Sequence, residues 1–183
     1  MRPWETVSSR VVLDGSPWLK VWEERVRLPS GRELSPFYRY EKSDFATIFA
    51  LDTEGRVPLE RRYRHGPRAM TLDLPAGYVE RGEEPLATAK RELLEETGYE
   101  AAEWHALGSV HTDGNSGGSR CHFFLCTGAR RVAAPAEDDT EEAEVLLLPP
   151  AELRAALDAG GFATLVATAC AARGLLHLAG RAP

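Results

Sequence analysis

Short apolar runs separated by turn-forming residues fill the first third of the chain. Thr6 to Val12, Trp18 to Leu28 and Glu33 to Tyr40 read as strands. Asp14-Gly15-Ser16-Pro17 and Pro29-Ser30-Gly31 break them, which suits hairpins. Lys20 to Leu28 alternates partly with period two. A three-stranded unit of this size is marginal alone, so it is expected to lean on a larger domain or on a second subunit. Ala46 to Leu51 and Val57 to Tyr63 read as a further hairpin turning at Asp52-Thr53-Glu54-Gly55. Trp104 to His111, His122 to Thr127 and Glu144 to Leu148 are strand candidates, with a flexible glycine-rich loop at Gly114 to Ser119. Ala151 to Ala159 and Phe162 to Leu178 read as helices, the second with Phe162, Leu165, Val166, Ala169 and Cys170 on one face.

Between these halves lies Gly77 to Tyr99, GYVERGEEPLATAKRELLEETGY. It reads as loop, helix, loop. Pro85 suits a first helical turn, Glu83 and Glu84 favour the positive end of the helix dipole, and Gly98 is placed to end the helix in a left-handed conformation. Leu86, Ala89 and Leu93 recur at helical spacing and predict a buried face. Glu92, Glu95 and Glu96 fall at i, i+3 and i+4 on another face. Three carboxylates so placed repel one another unless a cation intervenes. Hard oxygen donors select Mg²⁺ or Mn²⁺, which commonly bridge carboxylates to phosphates. A Glu-rich helix by itself would read as a solvated acidic face. The fixed spacing of Gly77, Glu83, Arg91, Glu92, Glu95, Glu96 and Gly98 argues for chemistry instead.

That spacing resembles the Nudix box, the signature of hydrolases that cleave a nucleoside diphosphate linked to another group. The resemblance implies an α/β fold: a Nudix α/β/α sandwich with a mixed sheet, plus a small N-terminal antiparallel β unit. It implies that Glu92, Glu95 and Glu96 carry the metals, that the Ala76 carbonyl adds a backbone ligand, and that Glu83 and Arg91 pair to hold the loop against the helix. Gly77 and Gly98 support the site. The N-terminal β unit, the Tyr63-Arg64 pair before the box and the acidic loop after it resemble the ADP-ribose and nucleoside diphosphate sugar pyrophosphatases. By that resemblance Arg64 contacts the diphosphate, and Trp18 and Phe37 stack on the base. Glu141 aligns with the general base, with Asp139 and Glu142 as alternates. The expected organisation is residues 1–43 as a β unit for substrate and dimer contacts, and 44–183 as the hydrolase domain. A homodimer is implied. Action on dinucleoside polyphosphates or nucleoside triphosphates is the alternative activity, and a non-catalytic nucleotide-sugar sensor is the alternative class.

Composition narrows this picture only slightly. With 43% hydrophobic and 27% charged residues, the chain has an ordinary globular balance. A net charge of −6 argues against a nucleic-acid surface, although metals can supply local positive charge for a nucleotide. Cys121, Cys126 and Cys170 form no CxxC pair and read as reduced, buried thiols. No apolar run approaches the length of a membrane span, and the N-terminus lacks an apolar signal core, so a cytoplasmic protein without membrane contact is expected.

Overall fold

The computed structural model describes residues 2–136 and 142–180. Its elements are β1 (Glu5–Gly15), β2 (Leu19–Arg27), β3 (Glu33–Glu41), β4 (Phe45–Asp52), β5 (Val57–Arg64), β6 (Ala69–Asp73), β7 (Ala76–Tyr78), α1 (Pro85–Thr97), β8 (Tyr99–Glu100), β9 (Glu103–Asp113), β10 (Gly117–Arg131), β11 (Ala143–Leu148), α2 (Pro150–Asp158) and α3 (Leu165–Ala179). They form two compact units. The first runs up to Asp44 and includes Val110–Arg120; the second takes Phe45–Ser109 and the chain from Cys121 onward.

In the first unit β1, β2 and β3 form an antiparallel meander. Cross-strand pairs hold it: Arg10 meets Glu23 at 2.9 Å, and Arg27 reaches Glu5 at 2.9 Å and Glu33 at 2.8 Å. Trp22 lies opposite Arg39, whose guanidinium stands 4.0 Å from the ring centroid, a cation–π contact. Val26 is buried, whereas β1 is exposed along nearly its whole length. Val110–Arg120 belongs to this unit because Gly117 and Gly118 pair in parallel with Tyr40 and Glu41. The segment expected to be a flexible loop is a tight turn. Asp113 stitches it, its side chain accepting from the Asn115 and Ser116 amides at 2.8 and 3.0 Å.

The second unit is an α/β/α sandwich on a mixed sheet, as expected for the fold class. β4 and β10 run parallel from Phe45 opposite Cys121, and β7 adds antiparallel to β4. β4 is buried on both faces, which is why it reads as an unbroken apolar run. Ala46, Ile48 and Ala50 face a cluster with Ala89 and Leu93 of α1. Phe49 faces the larger cluster with Leu59, Leu74, Phe123 and Leu125, which α2 closes with Leu153 and α3 with Ala167, Cys170 and Ala171. Each fully buried large side chain is worth about 1.5–3 kcal/mol. A second, antiparallel sheet is ordered β11-β5-β6. All three cysteines are buried, and burial pushes each thiol up to about 12. No described helix is long and apolar enough to cross a membrane.

Some elements differ from the sequence expectation. α3 begins at Leu165 rather than Phe162, because Thr164 is extended and its side chain accepts from the Ala167 amide, which fixes the first turn there. β6 has no strand signal of its own; it is short and stands between Gly66-Pro67 and Leu74-Pro75. On α1, Leu86 is exposed while Thr88 and Thr97 are buried. Both threonines bury because their hydroxyls have acceptors, Glu83 for Thr88 and the Leu93 carbonyl for Thr97.

Gly174 of α3 has no room for a methyl group: a Cβ there would lie 2.1 Å from the fully buried Phe49 ring. Alanine would gain about 1 kcal/mol in helix propensity but overpack a closed core by about 1–3 kcal/mol or more. Gly174→Ala is expected to lower Tm by roughly 2–8 °C in a thermal melt followed by circular dichroism. An equal or higher Tm would show that α3 shifts freely against β4.

Candidate active site

Gly77 lies within β7, beside α1. A Cβ there would fall 1.9 Å from the Glu92 carboxyl carbon, so its absence lets that carboxylate lie against the strand backbone. α1 starts with Pro85 in its first turn and ends at Gly98, which is left-handed at φ 75° with its amide on the Leu94 carbonyl. A side chain at Gly98 would meet the Ala133 carbonyl oxygen at 2.2 Å, where Val132 and Ala133 return to bond the Gly98 carbonyl.

Arg91 joins the loop to the helix. Its Nε and Nη2 reach the two oxygens of Glu83 at 3.2 Å each, and Nη2 also donates to the Tyr78 carbonyl at 3.2 Å. Nη1 donates to Glu92 at 2.6 Å and to Glu95 at 3.0 Å. Glu83 in turn accepts from the Thr88 hydroxyl at 2.8 Å and the Glu80 amide at 3.2 Å. The Arg91 guanidinium, followed by the Thr88 hydroxyl, holds the Glu83 carboxyl down at about 2. Glu83 first, and then Glu92 and Glu95, raise the Arg91 pKa further above its ordinary value.

Glu96 points the other way, into the protein. Its Oε2 accepts the Ala76 amide at 2.8 Å and its Oε1 accepts from Arg62 Nη1 at 2.8 Å. The same Arg62 nitrogen donates to Glu60 at 3.0 Å. Burial, and after it the Glu60 charge, push the Glu96 carboxyl well above the usual carboxylate range, against the opposing pull of the Ala76 amide and Arg62. Two residues further along β5, Arg64 holds one oxygen of Asp73 of β6 with Nε at 2.7 Å and Nη2 at 2.6 Å.

The structure therefore gathers Ala76, Gly77, Glu83, Arg91, Glu92, Glu95 and Glu96 around one loop and helix, and sets Arg64 on β5. Trp18 and Phe37 belong to the first unit. Trp18 is 63% exposed, and Phe37 packs edge-on against Trp4 with ring centroids 5.8 Å apart. Of the three candidates for the base, Glu142 is exposed, while Asp139 and Glu141 lie outside the described residues. Glu60, Arg62 and Asp73 were not expected in the site. Their one sequence signal is charge at Glu60 and Arg62 within a strand whose alternate positions, Val57 and Leu59, are apolar.

The donor set suits a divalent ion. Three hard carboxylates stand within one turn of α1, and each already has a cationic nitrogen within 2.6–3.0 Å, supplied by Arg91 or Arg62. Each of the three is turned onto a guanidinium, and among the described residues no three such side chains converge as a metal-holding group.

Residues 42–167 match the NUDIX domain. The chain belongs to the Nudix family. Ahead of that Nudix domain, residues 4–40 match the nucleoside diphosphate sugar hydrolase N-terminal domain. An ADP-ribose pyrophosphatase of Mycobacterium tuberculosis is 33% identical over 148 residues, 78% of this chain and 68% of that protein. An ADP-ribose pyrophosphatase of Bacillus subtilis is 28% identical over 138 residues, 75% of this chain and 74% of that protein. A crystal structure of an ADP compounds hydrolase superposes with a TM-score of 0.84 at 17% identity, covering 99% of this chain and 97% of that one, which establishes a shared Nudix fold. Nudix hydrolases generally need divalent metal ions.

The Glu83–Arg91 clamp makes acid stability testable. The folded Glu83 carboxyl titrates near 2 against an ordinary 4.5, so its stabilising contribution is full above pH 4.5 and is lost as pH falls toward 2. Glu83→Gln should lower Tm by roughly 2–4 °C at neutral pH, the scale of about 1 kcal/mol in a chain of this size. The gap from wild type should close between pH 4.5 and 2. A gap that is constant with pH would show that the charge of Glu83 does not matter to the clamp.

Proposed function

We propose that this Nudix protein hydrolyses the pyrophosphate bond of ADP-ribose or a related nucleoside diphosphate sugar, giving a nucleoside monophosphate and a sugar phosphate. The observation that carries this reading is the set of three carboxylates on α1, bonded to Arg91 and Arg62, with the Glu92 carboxylate against the bare backbone of Gly77. The ADP-ribose pyrophosphatases among its relatives and the match of residues 4–40 support the substrate class.

In this reading Glu92, Glu95 and Glu96, with the Ala76 carbonyl, hold Mg²⁺, for which Mn²⁺ can substitute. Such ions neutralise diphosphate charge and make water acidic enough to attack at neutral pH. Glu83 and Arg91 keep the loop and helix in register. Arg64, oriented by Asp73, contacts the diphosphate, and Trp18 and Phe37 stack on the base, a contact worth about 1–3 kcal/mol per base. Glu141 takes the proton of the attacking water, with Glu142 and Asp139 as the other candidates. The three buried thiols suit a reducing cytoplasm.

Steady-state assays with Mg²⁺ on ADP-ribose, ADP-glucose, GDP-mannose and ATP test the assignment. Cleavage of ADP-ribose and at least one other nucleotide sugar is expected, with poor use of ATP; a tenfold or greater preference for ATP would favour the triphosphatase alternative. In the same assay Glu141→Gln should lower kcat by about 10²–10⁴ with little change in KM. An undiminished kcat would move the role to Glu142 or Asp139.

A homodimer accompanies this reading. β1 leaves Val11, Val12 and Leu13 exposed on a three-stranded unit too small to be stable by itself, and the same unit exposes Trp4, Trp18 and Tyr38. Sedimentation at micromolar protein should give a dimer, and a clean monomer would sink this part of the proposal.

A further inference from the structure

β5 buries charge where a strand ordinarily buries carbon. Val57 and Leu59 enter the apolar core, and the alternate positions Glu60 and Arg62 are buried as well, their side chains 2% and 3% exposed. Ionised groups so placed are costly unless paired, and breaking such a pair is more costly still. The pairing is uneven. One nitrogen of Arg62 serves Glu60 at 3.0 Å and Glu96 at 2.8 Å, so a single guanidinium answers two carboxylates. The other Glu96 oxygen is fixed by the Ala76 amide. Both oxygens of Glu96 are thereby held.

A guanidinium bound to a metal-binding carboxylate competes with the metal for that charge. A second carboxylate on the same guanidinium lessens the competition. We propose that Glu60 and Arg62 are a positioning pair for the divalent-ion site: Arg62 orients Glu96, and Glu60 draws off the charge of Arg62 so that Glu96 remains a strong ligand. The inference rests on the reading of Glu96 as a metal ligand. Neither Glu60 nor Arg62 need touch the ion or the substrate. Partners of metal ligands commonly act this way, and their loss typically costs 10–100-fold in metal affinity.

Titration of the metal-free protein with Mn²⁺, followed by electron paramagnetic resonance, separates this role from a structural one. Glu60→Gln keeps the shape of the side chain but removes the charge that shares the Arg62 nitrogen with Glu96. It should weaken Mn²⁺ binding by about tenfold or more. The metal-free Tm should fall by less than about 5 °C, because Arg62 keeps Glu96 as a charged partner. Glu60→Asp keeps the charge and should bind Mn²⁺ within about threefold of wild type, well short of the 10–100-fold loss expected when such a partner is removed. Wild-type affinity in Glu60→Gln, or equal weakness in Glu60→Asp, would overturn the proposal. So would a Glu60→Gln protein that fails to fold or loses more than about 5 °C in Tm, since Glu60 would then serve the fold rather than the site. Glu96→Gln is the control for the underlying reading, and it should lose at least about tenfold in Mn²⁺ affinity. If it binds as tightly as wild type, the metal assignment itself fails, and the role of the pair with it.

Discussion

Glu92, Glu95 and Glu96 stand within one turn of α1, and their mutual repulsion is met by guanidinium nitrogens 2.6–3.0 Å away. Much of the local architecture follows from that demand. Arg91 must lie beside the loop to reach Glu92 and Glu95, so the loop folds back and supplies Glu83 and the Tyr78 carbonyl to hold it. Glu92 lies flat against β7, in the space a side chain at position 77 would occupy. Glu96 faces inward, so β5 must carry a cation into the interior and a further anion to balance it. The helix is anchored by the apolar contacts of Ala89 and Leu93, and Glu96, one turn after Leu93, shares their inward side.

How much of this could be read beforehand depended on whether the signal was local. The box helix, its proline start, its glycine end and its run of glutamates are set by spacing within one window, and they emerge with boundaries close to those expected. The hairpin strands of the first unit were legible because turn residues punctuate them. Phe162 was drawn into the following helix because it sits at the right spacing for one face. The capping hydroxyl of Thr164 decides the boundary instead, a single hydrogen bond that periodicity does not register. The glycines at 114–118 suggested mobility, yet the Asp113 side chain closes the turn and Gly117 and Gly118 pair with β3.

Glu60, Arg62 and Asp73 were missed for a different reason. A charged residue in a strand is normally assigned to the solvent face, and here the sheet has none at those positions. What buries them is partners distant in sequence: Glu96 comes from α1, and Asp73 meets Arg64 across the β5–β6 pairing. Such complementarity exists only in three dimensions. Trp18 and Phe37 illustrate the converse. Their identities suggested stacking by resemblance, and their local packing alone assigns them no role.

The parallel pairing of β4 with β10 has a consequence for how the chain is made. Phe45 finds its partner at Cys121, so the central ladder closes only after most of the polypeptide exists. At synthesis rates of about 5–20 residues per second, the stretch from Ala46 to Leu51 waits roughly 4–15 s after translation before β10 has been made. During that interval β7 can cover one edge of β4, but the other stays open until β10 is made. An apolar strand with an open edge invites wrong pairing, so that hazard belongs to the chain during its synthesis rather than to the finished fold.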